Sequence, residues 1–174
     1  ALVMREVSVD GSTVYDSVTL QLNLANGTFT ILDATLKDTS FSETALDTIT
    51  QNGVKVDFMG CALSGKNQIT CMTKITSLNK DQNIYAYVND YAYRNFTSKV
   101  TSYLYDNLSN EYKASTVTAL DKSSGTSLTI NAIQGIPIEV KFIYNNINPA
   151  ATSIPSFQPY VGGESGAVLK DFTD

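Results

Sequence analysis

Apolar and polar residues alternate with a period of two along much of this chain, the pattern of half-buried strands. Val18, Leu20, Leu22 and Leu24 are separated by Thr19, Gln21 and Asn23, and a second strand run extends from 28 to 36. Asn26-Gly27 lies between them, and Asn-Gly supplies the two positive-φ positions of a tight hairpin turn. Pairing Ala25 with Thr28 then sets Leu24 against Phe29 and Leu22 against Ile31, so register and apolar pattern agree. In that register Asp33 falls on the inner face opposite Leu20, which predicts a bulge or a specific polar partner.

The run from 54 to 75 reads as a second hairpin, folding about Lys66, with Cys61 opposite Cys71 and Leu63 opposite Ile69. Directly opposed strand residues meet the geometry of a disulfide, and two buried free thiols are the alternative. Further strands are expected near 83–88, 115–120, 127–133 and 135–144, the last with Ile136, Ile138, Val140 and Phe142 on one face. Residues 121–125 read as a connecting loop, and 145–166 as a long Asn-, Pro-, Ser- and Gly-rich loop or linker before a strand-like tail.

Two segments carry helical spacing. Ser40 and Glu43 form a capping box ahead of Phe41, Ala45, Leu46 and Ile49, and Asn52-Gly53 supplies a stop, so a short helix is expected there. From Phe96 the apolar positions Val100, Leu104 and Leu108 recur every four residues, although the Thr and Tyr content suits a strand as well.

Composition narrows the function. With 43% hydrophobic and 17% charged residues the chain can bury a core, and its polar balance comes from uncharged side chains suited to strands and turns. A net charge of -5 with only 12 basic residues argues against nucleic acid, which demands clustered Lys and Arg. No apolar run approaches the roughly 20 residues of a helical membrane span. The chain has no histidine, so Ser-His-Asp and Cys-His catalysis are excluded and a zinc shell would have to be filled from carboxylates. No enzymatic activity, cofactor or metal is expected.

The chain opens on Ala1 without an initiator Met, the form left after cleavage of a signal peptide at a small residue; a trimmed chain is the alternative. Three sequons, at Asn26, Asn95 and Asn107, together with the paired cysteines, predict an extracellular, cell-surface address and possible N-linked glycans. Leu2 and Met4 lie on one strand face and Val3, Val7 and Val9 on the other, before Asp10-Gly11-Ser12 breaks the strand. A detachable strand of about ten residues results, suited to β-addition into a neighbour that lacks an edge strand; pairing within its own domain is the alternative.

The processed-looking Ala1, the leading strand from Leu2 to Val9, the three sequons and the Thr, Asn, Tyr and Ile bias resemble the thread subunits of archaeal cell surfaces. The resemblance implies a glycosylated, immunoglobulin-like antiparallel β-sandwich with one or two short helices, polymerised head to tail with identical subunits by donor-strand complementation. It implies a donor strand and linker at 1–12, donor residues Leu2, Val3, Met4, Val7 and Val9, and a sandwich domain at 13–174. The alternative is a monomeric secreted adhesive or ligand-binding β domain.

Overall fold

The computed structural model describes residues 2–4, 7–9, 12–14, 18–25, 28–35, 41–88, 100–169 and 171–172, with side chains from residue 41 onward except at Leu169. Among these residues the protein is mainly β and antiparallel, with no helix. None is therefore long and apolar enough to cross a membrane. Five strands come first: β1 (Leu2–Met4), β2 (Val7–Val9), β3 (Ser12–Val14), β4 (Val18–Ala25) and β5 (Thr28–Thr35). They form a three-stranded sheet in the order β1-β4-β5 and a β2-β3 pair.

The remaining strands build the body. They are β6 (Asp47–Gln51), β7 (Val54–Gly65), β8 (Gln68–Ser77), β9 (Gln82–Tyr87), β10 (Tyr103–Tyr105), β11 (Glu111–Lys113), β12 (Thr116–Ala119) and β13 (Lys122–Ser124). Then follow β14 (Ser127–Ala132), β15 (Ile138–Asn145), β16 (Ser156–Gln158), β17 (Tyr160–Gly163) and β18 (Gly166–Leu169). A six-stranded sheet runs β13-β12-β15-β8-β7-β6 and a four-stranded sheet β14-β9-β17-β18, with a small β11-β10-β16 sheet beside them.

One buried cluster unites the sheets. Val54, Val56, Phe58, Cys71, Ile75, Val140, Phe142 and Tyr144 enter it from the six-stranded sheet. Ile84, Ala86, Leu128, Ile130, Val161 and Val168 enter from the four-stranded sheet, and Leu104 and Phe157 from the small one. The period-two alternation of β14 and β15 places every second residue inside. At one border Gly125 and Thr126 carry the chain from β13 across to β14, and Thr126 accepts a backbone hydrogen bond from Val88. At the other, Asn52 Nδ2 in the β6–β7 turn donates to the Ala167 carbonyl of β18 at 2.9 Å.

Both hairpins take the register that alternation predicts: Leu24 pairs with Phe29, Leu22 with Ile31, Cys61 with Cys71 and Leu63 with Ile69. A bulge between Gln21 and Leu22 shifts the first ladder so that Asp33 stands opposite Gln21 and Leu20 opposite Ala34. The extra residue thus removes the acid from the position opposite Leu20. Cys61 and Cys71 are disulfide-bonded, with Cα atoms 4.0 Å apart and a sequence separation of 10. Closing so short a loop stabilises modestly, so replacing both cysteines with alanine is expected to cost roughly 2–3 kcal/mol. Urea unfolding of the variant, compared with wild type under non-reducing conditions, measures this; an unchanged midpoint would contradict it.

The expected helix at 40–51 is corrected. Residues 41–46 are irregular and 47–51 form β6. Ser42 N donates to Met59 O and Leu46 N to Phe58 O, so backbone donors needed for helical turns are spent on β7. Ser42 Oγ accepts from Thr44 N, a local turn that competes with helix, and Thr48-Ile49-Thr50 favour extended backbone. Leu46, assigned to the inner helical face, is 52% exposed. The second candidate resolves toward strand over its described part: Leu104 in β10 is buried between half-buried Tyr103 and Tyr105, while residues 96–99 lie outside the described residues.

Three smaller corrections follow. Residues 122–124 form β13, turned back on β12 at Leu120, whose φ of 55 closes the hairpin. The expected linker holds β16 and β17, because Ile147, Ile154, Phe157 and Val161 are buried in the core. Ile136, assigned to the inner face of β15, lies exposed before that strand starts, whereas the expected strand-like tail is present as β18, paired with β17 of its own chain.

Candidate assembly site

The donor residues proposed from sequence fall into two ladders rather than one strand. Leu2, Val3 and Met4 pair with Leu20, Thr19 and Val18 of β4. Val7 and Val9 pair with Val14 and Ser12 of β3. Each ladder is three residues long. With a net contribution of about 1 kcal/mol per backbone hydrogen bond, such a pairing is marginal on its own. Among the described residues no ladder joins β1 through β5 to the sheets of the body.

Of the sequon asparagines, Asn26 and Asn95 lie outside the described residues. Asn107 sits in the turn between β10 and β11 and is tied to the loop after Ile147. Its Oδ1 accepts from Thr152 N at 2.9 Å and Ser153 N at 3.3 Å, while its Nδ2 donates to Thr152 Oγ1 at 3.0 Å. Asn107 is exposed, yet its amide clasps two loops together.

Beside it lies a charged group that sequence reading missed. Asp106 is buried at 2% exposure, and its carboxylate accepts from Leu108 N, Asn110 N, Asn110 Nδ2 and Tyr112 Oη. Burial alone would raise the pKa of this carboxyl, but the hydrogen bonds from Tyr112, Asn110 and Leu108 outweigh it and hold the value at about 2. Burial, reinforced by the bond to Asp106, pushes the Tyr112 phenol up. Tyr112 Oη also accepts from Asn148 N, so the acid anchors the 146–153 loop through one shared side chain. The string Asp-Asn-Leu-Ser-Asn between two tyrosine-containing strands was the available signal, since Asp and Asn bond their own following backbone in turns.

At the opposite end of the body, Leu78, Leu120, Ile133 and Ile136 are exposed. Leu120 and Pro137 line a shallow depression of about 290 Å³ shared with Thr118, Ala119, Ile138, Glu139 and Lys141. Elsewhere in the body, Gln82 Nε2 donates to Ser77 Oγ, and Lys80 pairs with Glu164 at 2.7 Å. Among the described residues no three His, Cys, Asp or Glu side chains converge as a metal site. No known protein family, curated protein or solved structure matches the chain.

Proposed function

We propose that the chain is a structural subunit of an extracellular filament, polymerising head to tail when its N-terminal strand enters an immunoglobulin-like β-sandwich of the next copy. The observation that carries this reading is the pairing of β1 and β2: three-residue ladders that run to β4 and β3 and, among the described residues, not to the body. A pairing that short is exchanged at small cost, whereas a longer ladder in a neighbour gains more backbone hydrogen bonds and buries alternate apolar residues. The C-terminal tail is a poorer candidate for exchange, because Val168 and Phe172 are buried in the core of their own body. The disulfide agrees with an oxidising, extracellular address.

Deleting residues 1–10 is expected to abolish long assemblies in electron micrographs while the remaining chain stays folded by circular dichroism. Filaments of unchanged length from the deleted chain would defeat this reading. The second reading, a monomeric secreted adhesive or ligand-binding domain, is favoured by the exposed Leu78, Leu120, Ile133 and Ile136 and by the depression that Leu120 lines. Exposed apolar residues gathered at one end suit a partner contact. Under that reading, wild-type protein stays monomeric at all concentrations in sedimentation.

A further inference from the structure

The flank where β6 and β18 meet is tied by a residue that can change chemically without an enzyme. β6 is the last strand of the six-stranded sheet and β18 the last of the four-stranded sheet, so each has one laddered neighbour. Asn52 Nδ2 crosses from the β6–β7 turn to the Ala167 carbonyl at 2.9 Å. Its side chain is seated against Gly166, where an added Cβ would stand 3.1 Å from Nδ2. The tie therefore uses both the amide donor of Asn52 and the bare backbone of the opposing turn.

The β6–β7 turn limits which residues can stand there. Gln51 pairs with Val54, which leaves Asn52 and Gly53 as a two-residue loop with φ of 53 and 75. Asn, Asp and Gly occupy such left-handed positions at least cost, and at neutral pH only Asn of the three has a side-chain donor. Gly53 is held to its identity twice over: by its positive φ, and because a Cβ there would stand 2.8 Å from Asn79 Nδ2. The fold thus demands Asn followed by Gly, the pair in which no side chain shields the second backbone nitrogen.

We propose that Asn52 is a deamidation site and that its conversion opens the β6–β18 flank irreversibly. Asn52 is exposed, so water and hydroxide reach it. Hydroxide takes the Gly53 amide proton, and Gly53 N attacks Asn52 Cγ. The N–Cγ bond forms, the Cγ–Nδ2 bond breaks, and Nδ2 leaves as ammonia after taking a proton from water, which restores the hydroxide. Water then opens the cyclic imide, giving Asp by attack at Cγ or isoAsp by attack at the Asn52 backbone carbonyl carbon. Neither product replaces Asn52. Aspartate tolerates the φ but sets an oxygen against the Ala167 carbonyl, acceptor facing acceptor. IsoAsp also adds one carbon to the main chain inside the two-residue loop, which shifts Gln51 away from Val54. Two edge strands then lose this tie, and unpaired edges are templates for pairing with another chain.

Full-length wild type held in mildly alkaline buffer is expected to convert Asn52 to Asp and isoAsp at least about tenfold faster than Asn67, Asn79 or Asn131, none of which precedes glycine. Peptide mass spectrometry reads the conversion. Asn52→Asp supplies one product directly. Its amide hydrogen exchange should speed by about five- to tenfold in residues 166–169, while β12 and β15 keep the wild-type rate. Asn131→Asp makes the same charge change at an exposed position of β14 and should leave 166–169 unaltered. Aged wild type, separated by charge, should repeat the exchange pattern of Asn52→Asp. The proposal is overturned if Asn52 converts no faster than the other three, or if exchange in 166–169 is unchanged in Asn52→Asp or in the aged fraction. It is equally overturned if Asn131→Asp raises that exchange as much, or if Asn52→Asp loses the native circular dichroism, since the effect is confined to one flank.

Discussion

Replacing Phe157 with alanine is expected to destabilise the protein by about 3–5 kcal/mol, the range for removing a buried aromatic side chain. Phe157 is the meeting point of the body. Its ring lies 5.3 Å from Phe58, 5.8 Å from Phe142, 6.3 Å from Tyr144 and 6.2 Å from Phe172, so one side chain joins the six-stranded sheet, the small sheet and the C-terminal tail. Its backbone exchanges two hydrogen bonds of 2.8 Å with Phe172. The cavity left by alanine would be walled by these four rings, which cannot all collapse into it. Against a total stability of about 5–15 kcal/mol for a typical domain, the loss would lower the thermal midpoint by about 6–20 °C or, at the low end of that stability, prevent folding. Leu120→Ala is the matched control, since Leu120 is 75% exposed and its truncation should stay within about 0.5 kcal/mol. Equal effects of the two substitutions would remove Phe157 from its central place.

The second large effect belongs to Asp106. Its carboxyl has a folded-state pKa of about 2 against an ordinary 3.8, so the native state holds the ionised form more tightly than the unfolded chain does. The stabilisation is complete above the unfolded value and is lost as pH falls from about 4 through about 2, amounting to roughly 2 kcal/mol. Asp106→Ala removes the acceptor for four donors at once and leaves Tyr112 and Asn110 short of a partner inside the turn. A loss of about 2–4 kcal/mol is expected at neutral pH. Asp106→Asn is the sharper comparison: denaturant unfolding across the acid range should show a flatter decline for this variant than for wild type. Parallel curves would mean that the carboxylate is not the group responsible. At the alkaline end the sign reverses. Burial pushes the Tyr144 phenol well above 10.0, so folding favours its neutral form, and that contribution is lost as pH rises above the unfolded value.

The legible parts of this fold are those in which alternation and a turn signal reinforce each other. The β7–β8 hairpin is the clearest case: two alternating runs and a short polar turn set Cys61 against Cys71 without knowledge of anything beyond the stretch from Val54 to Ser77. The bulge by Gln21 was foreshadowed for the same reason, since a carboxylate opposite Leu20 is a local conflict. What was hidden depends on partners far away in sequence. Residues 41–51 carry a capping signal, but Met59 and Phe58 carbonyls take their amide donors, and no window of sequence shows that. Strands β16, β17 and β18 are three or four residues long and interrupted by Pro and Gly, too short for periodicity to register.

The candidate site divides in the same way. Leu2, Val3, Met4, Val7 and Val9 read as one apolar strand, whereas their backbone lies in two separate ladders. Asn107 read as a glycan acceptor, and its amide is engaged by Thr152 and Ser153, 45 and 46 residues away. Asp106 carried only the turn signal of its Asp-Asn-Leu-Ser-Asn string; its burial, and the tie through Tyr112 to Asn148, do not show in that window.

The two borders described earlier have a bearing on what shape an assembly takes. Where Gly125 bends the chain from one sheet into the other, and where Asn52 reaches the carbonyl of Ala167, the flanks of the body are stitched to themselves. Flanks closed in this manner offer little to a second molecule approaching sideways, which suppresses ribbon-like or amyloid-like growth. Copies of this protein that associate through their ends would accordingly advance in single file.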